Sequence, residues 1–118
     1  MHSARLLDHF QNPRNAGELA GATHVAEHSN PVCGDILKLW ARVESGRIAA
    51  VGFKCRGCVA SMACGSALTE LVMGQTVEAA RAITAAGVEE AAGGLETASK
   101  HAAVLAVDTL RALLNRPA

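Results

Sequence analysis

Gly52-Phe53-Lys54-Cys55-Arg56-Gly57-Cys58-Val59-Ala60-Ser61-Met62-Ala63-Cys64 reads as a strand that turns sharply into a helix. Before the turn, Ala49, Val51, Phe53 and Cys55 recur at every second position, the period of a strand with one buried face. After it, Ala60, Ala63, Cys64, Ala67, Leu68, Leu71 and Val72 fall on one side of a helix, which Gly74 ends. Three of the four cysteines lie in this stretch, so the segment that sets the fold also concentrates soft ligand atoms.

Upstream, Leu37, Leu39, Ala41 and Val43 alternate with Lys38, Trp40 and Arg42, which predicts another strand with an outward polar side. Glu44-Ser45-Gly46-Arg47 is a hairpin turn by composition, so these two strands pair antiparallel. Thr23 to Ser29 adds a third strand. Asn30-Pro31-Val32-Cys33-Gly34-Asp35 brackets the fourth cysteine, Cys33, with turn formers. At the start, Ser3 caps a short helix through Phe10, with Leu6, Leu7 and Phe10 on one face. Asn12-Pro13-Arg14-Asn15 ends it, because proline disfavours helix in the residue before it.

Beyond Gly74, Thr76 is expected to cap a short helix with Val77, Ala80 and Ile83 on its apolar face. Glu89 and Glu90 fall in a further short helix. Ser99 is expected to cap the last one, buried through Val104, Leu105, Val107, Leu110 and Leu114. Strands and helices are therefore segregated along the chain. That order predicts an α+β domain over residues 1–118, a small three-stranded antiparallel sheet with about five helices packed mainly on one face.

Composition narrows the function classes. The 118 residues suffice for one modest core, built from Leu, Val, Ile and Ala because Trp40, Phe10 and Phe53 are the only aromatics. Eleven basic residues balance eleven acidic ones, which gives no nucleic-acid surface. No signal peptide and no membrane span are expected. In a reducing cytoplasm the cysteines are metal ligands or reactive thiols rather than disulfides.

Cys58 is the first candidate, because a helix N-terminus favours a thiolate and Arg56-Gly57 argue for exposure. The alternative is a small buried hydrophobe. Cys55 has a spacing to Cys58 that suits one metal held by two sulfurs, yet it shares the parity of Val51 and Phe53. Ligand and core residue both stay open for it. Cys64 belongs to the apolar stripe and reads as packing. Asp35, two residues from Cys33, offers a hard oxygen beside a soft sulfur, suited to zinc or iron, or else a turn residue bonded to local backbone. His9, His24 and His28 sit in polar settings and read as solvated. His101 stands near the start of the last helix.

Asn30-Pro31-Val32-Cys33-Gly34-Asp35 and Phe53-Lys54-Cys55-Arg56-Gly57-Cys58 resemble the NifU/IscU family of iron–sulfur cluster assembly scaffolds. Leu7-Asp8-His9-Phe10, Asn12-Pro13-Arg14-Asn15-Ala16-Gly17, Thr69-Glu70, Gly94-Leu95 and Val104-Leu105-Ala106 extend the resemblance along nearly the whole chain. It implies a scaffold, not a turnover enzyme, on which iron and sulfur from a cysteine desulfurase are built into a cluster for apo iron–sulfur proteins. It also implies a site of Cys33, Asp35, Cys58 and His101, with zinc as an occupant of the same place. The family's third cysteine would follow His101, where this chain has Ala102, and His2 stands where tyrosine is common. We expect Cys55 to compensate, as a cluster ligand with Cys33, Cys58 and Asp35 or His101, while two chains sharing a cluster would also relieve the shortage. Leu95-Glu96-Thr97-Ala98-Ser99 keeps only the leucine of the family's Leu-Pro-Pro-Val-Lys motif, which speaks against a dedicated chaperone partner. A zinc-binding sulfur relay centred on Cys58 is the reading from another class.

Overall fold

A computed structural model of the chain describes residues 2–31 and 34–115. The element order is α1 (Ala4–Gln11), β1 (His24–Ser29), β2 (Ile36–Glu44), β3 (Arg47–Arg56), α2 (Val59–Val72), α3 (Val77–Arg81), α4 (Ala85–Ala91), a 3₁₀ turn (Thr97–Ser99) and α5 (His101–Leu114). The three strands form one antiparallel sheet in the order β1-β2-β3. This is the expected α+β arrangement. Helices α2 and α5 both pack on the sheet, and α1, α3 and α4 pack on those two helices.

The β2–β3 hairpin shows how local chemistry sets register. Ser45 (φ 50°) and Gly46 (φ 75°) both occupy the left-handed region, the backbone that a two-residue hairpin loop requires. A bulge then shifts the pairing between Arg42 and Val43, so that Val43 faces Ile48 while Arg42 faces Ala50. One extra residue reverses the alternation, because side chains change face at every position. Ile48 is therefore fully buried and Ala49 is exposed, the reverse of what the simple alternation predicts. Beyond the bulge Val51 and Phe53 point into the core as expected.

The outer face of the sheet is covered in part by the chain between α1 and β1. Gly17 donates its N–H to the Phe53 carbonyl and the Asn15 carbonyl accepts from the Phe53 N–H, which closes part of the β3 edge. Gly52 permits this approach, since a Cβ there would lie 2.5 Å from the Gly17 carbonyl oxygen. Trp40, placed by parity on the outer face, is nonetheless buried, with Lys38 Nζ 5.0 Å from its ring centroid.

Helix α2 is the centre of the molecule. It is buried on more than the single stripe the spacing predicts, because α1, α4, α5 and the sheet all touch it. Its other sides carry small residues, Ser61, Gly65, Ser66 and Thr69, which let neighbours close in. Gly65 lies against the Phe53 ring, where a Cβ would come within 2.8 Å.

Four further expectations change. On α1 the buried residues are Leu6 and His9, while Leu7 is exposed. His9 is not solvated, since its ring bonds to Ser66 Oγ at 2.7 Å, and that buried hydroxyl also takes the Arg14 N–H. On α5, Val104 is 49% exposed, while Ala102, Ala103 and Ala106 are buried. Short side chains win those places because α5 lies close on β1, β2 and α2. Ser99 does not cap α5. It ends the 3₁₀ turn, and Lys100 precedes α5 without a side-chain cap.

Candidate metal centre

The candidate residues Asp35, Cys58 and His101 meet at one end of the sheet, where three chain segments converge. The β1–β2 loop is closed by Asn30, which donates to the Asp35 carbonyl at 2.8 Å and accepts from the Gly34 N–H at 2.7 Å. This brings Asp35 to the start of β2, on the same side of the sheet as Leu37 and hence toward the helices. At the end of β3 the chain turns through Gly57 into α2, with Cys58 as its N-cap. The start of α5 supplies His101.

Their side chains meet on one oxygen. Cys58 Sγ lies 3.2 Å from Asp35 Oδ2, and His101 Nε2 lies 3.9 Å from the same atom. The ligand atoms of Asp35, Cys58 and His101 all fall within 4.8 Å of one another. Asp35 is buried, His101 half-buried and Cys58 exposed, so the cluster opens to solvent on the sulfur side. Gly57 makes room for the carboxylate: a Cβ there would sit 2.5 Å from Asp35 Cγ. His101 Nε2 is buried without a hydrogen-bond partner, a costly state for an imidazole nitrogen unless a ligand completes it.

These facts allow a test of metal fit. A tetrahedral zinc with bonds of about 2.0–2.3 Å places its ligands about 3.3–3.8 Å apart. The spacings of 3.2 and 3.9 Å onto Asp35 Oδ2 bracket that range. Oxygen, sulfur and nitrogen donors together suit zinc or iron, and a neutral imidazole and a thiolate are the forms that bind. The residues fit a metal ion.

Of the expected site residues, Asp35, Cys58 and His101 are brought together. Cys33 lies outside the described residues. Cys55 is half-buried on the core side of β3, paired across the ladder with Leu37, and stands outside the three-residue group. Cys64 is fully buried, and burial pushes its thiol up to about 12, which makes it a packing residue. Ala102, where the resemblance leads to the expectation of a third cysteine, is buried and supplies no ligand atom.

Ser61 is the site residue that sequence reasoning missed. Its hydroxyl donates to Asp35 Oδ2 at 2.6 Å, and its backbone N–H donates to Cys58 Sγ at 3.4 Å. The available signal was its spacing. A residue three places after an N-cap has its N–H aimed back at the cap.

Comparison with known proteins bears on the family and the fold. Residues 1–116 match the family described as the NifU-like N terminal domain. An iron–sulfur cluster assembly scaffold protein IscU of Archaeoglobus fulgidus is 43% identical over 94% of this chain and 72% of its own length. The IscU scaffold protein of Aquifex aeolicus is 38% identical over 92% of this chain and 71% of its own. A crystal structure of a putative iron–sulfur cluster assembly scaffold protein for the SUF system, from Fervidobacterium islandicum, superposes with a TM-score of 0.81. That likeness covers 97% of this chain and 96% of the other at 20% identity, so it speaks for the fold. With the matched domain, the identities and the shared fold all in agreement, the chain belongs to the NifU/IscU-type scaffold family.

Proposed function

We propose that the protein is an iron–sulfur cluster assembly scaffold. It receives iron and sulfur, the latter from a cysteine desulfurase, and passes the cluster to apo-proteins. The observation that carries this reading is the convergence of Asp35, Cys58 and His101 from three separate elements, with an imidazole nitrogen left buried and unbonded. Cys33 completes a set of four donors by resemblance. Clusters need thiolate-rich ligation, and Ala102 removes one thiolate, so Cys55 is proposed as the additional sulfur on the iron-loaded protein.

Anaerobic protein incubated with ferrous iron and a sulfur source tests the reading. Stoichiometric iron and acid-labile sulfide, with sulfur-to-iron charge-transfer absorption, are the expected result, and Cys58→Ala is expected to abolish both. Cys55→Ala lowers the yield if that thiol contributes. A yield unchanged by Cys55→Ala removes Cys55 from the ligand set.

One observation favours a second reading, a zinc-tuned sulfur carrier. Cys58 is exposed at a helix N-cap with an N–H on its sulfur, the setting of a thiol that accepts a sulfane sulfur. Persulfide trapped on Cys58 in iron-free, zinc-loaded protein, with no cluster formed on reconstitution, would select it.

A further inference from the structure

The Ser61 hydroxyl is placed where neither core packing nor helix capping requires it. Ser61 is 2% exposed and lies in the first turn of α2. The cap on that turn uses its backbone N–H, which any residue would supply. The hydroxyl instead donates its one proton to Asp35 Oδ2 at 2.6 Å, the shortest contact in the site. Its oxygen faces Cys58 Sγ at 3.4 Å as an acceptor. Ser61 thus touches two members of the donor group without belonging to it.

We propose that Ser61 is a positioning residue for the metal centre, which holds the Asp35 carboxylate with Oδ2 turned toward Cys58 and His101. This inference rests on the metal-centre reading and adds a residue to it. The physical case has three parts. Asp35 packs directly over Gly57, which leaves room for the carboxylate but offers no side chain to hold it. The carboxylate serves the metal only when Oδ2 is turned toward Cys58 and His101. A short charge-assisted bond from a buried serine favours that orientation before the metal arrives. Asp35 Oδ2 has lone pairs enough to accept from Ser61 and to ligate a metal at once.

The test is zinc affinity, measured by chelator competition on the purified full chain, with the visible spectrum of the cobalt(II) form as a second readout. Ser61→Ala keeps the backbone cap and should fold with unchanged circular dichroism. It is expected to bind zinc about 10-fold or more weakly and to alter the cobalt ligand-field bands. Ser61→Thr, which restores a hydroxyl, should recover most of the affinity. In an Asp35→Ala background, Ser61→Ala should weaken binding no further, because the serine acts through that carboxylate. A folded Ser61→Ala protein that binds zinc within about two-fold of the wild type or more tightly, or a full additive loss in the Asp35→Ala background, would overturn the inference alone. A wild-type protein that takes up neither zinc nor cobalt would overturn the metal-centre reading and this inference with it.

Discussion

At the level of single residues, the site is governed by what glycine and serine permit around Asp35. Gly57 is not in a left-handed conformation; its role is purely one of space. Adding one methyl there puts carbon 2.5 Å from Asp35 Cγ, closer than non-bonded carbons approach, so the carboxylate must leave its place beside Ser61 and Cys58. Gly57→Ala is therefore expected to weaken zinc binding by about 10-fold or more while the metal-free protein keeps its circular dichroism. Chelator competition on the two proteins checks this, and equal affinities would show that Asp35 is not a ligand. Asp35 and Cys58 were legible in the sequence, since turn formers and a strand–helix junction single them out. Ser61 was not, because a serine in the first turn of a helix looks the same whether its hydroxyl faces water or a buried carboxylate. Gly57 was read as a sign of exposure, while the structure adds that it is a seat for Asp35.

At the level of elements, α1 and the segment after it are fastened to α2 by polar contacts that amphipathic spacing does not reveal. His9 bonds to Ser66, Arg14 N–H bonds to the same hydroxyl, and Asn15 Nδ2 bonds to Thr69 Oγ1. Leu7-Asp8-His9-Phe10 looked polar around its histidine because the partner hydroxyl is 57 positions away. The bulge after Arg42 was illegible for a similar reason. Alternation gives a period but not the place where one residue is skipped, and so Ala49 stood where Ile48 is buried. The strands, the hairpin turn and the helix α2 were legible, because each is written locally. His9 has a consequence for pH. Burial, then the nearby Arg14 guanidinium, lowers its pKa from the ordinary 6.5, against opposing effects of Glu70, Asp8 and the Ala91 carbonyl. Above 6.5 both folded and unfolded chains carry a neutral ring; below it the unfolded chain binds the proton first. The stability held by the buried neutral imidazole is thus fully present above that pH. It is lost as the pH falls toward the folded-state pKa. Melting temperatures of the wild type and His9→Gln between about pH 8 and pH 5 test this. The wild-type advantage should shrink as pH falls, and a constant gap would mean that His9 does not titrate on unfolding.

At the level of the whole molecule, the centre joins parts of the chain that the sheet and helices otherwise hold only indirectly. Asp35 belongs to the β1–β2 connection, Cys58 to the β3–α2 junction and His101 to the last helix. No helix among the described residues is long and apolar enough to cross a membrane. Leu37, Phe53, Ala60, Cys64 and Leu105 belong to one buried apolar core that includes none of the ligand residues. Metal-free protein should therefore fold, and metal should add stability by mass action. At free zinc about 100 times the dissociation constant, that increment is about 2.7 kcal/mol. For a domain of this size it corresponds to a rise in melting temperature on the order of 10 °C, reversed by a chelator. His101→Ala separates this gain from ordinary packing. Its ring is one-third exposed and its Nε2 has no hydrogen bond to lose, so the metal-free melting temperature should change little. The zinc-dependent rise should fall to a small fraction of the wild-type value, because the ligand from α5 is gone. A full rise in His101→Ala would mean that zinc is held by the two loops alone and that α5 contributes only its packing to the fold.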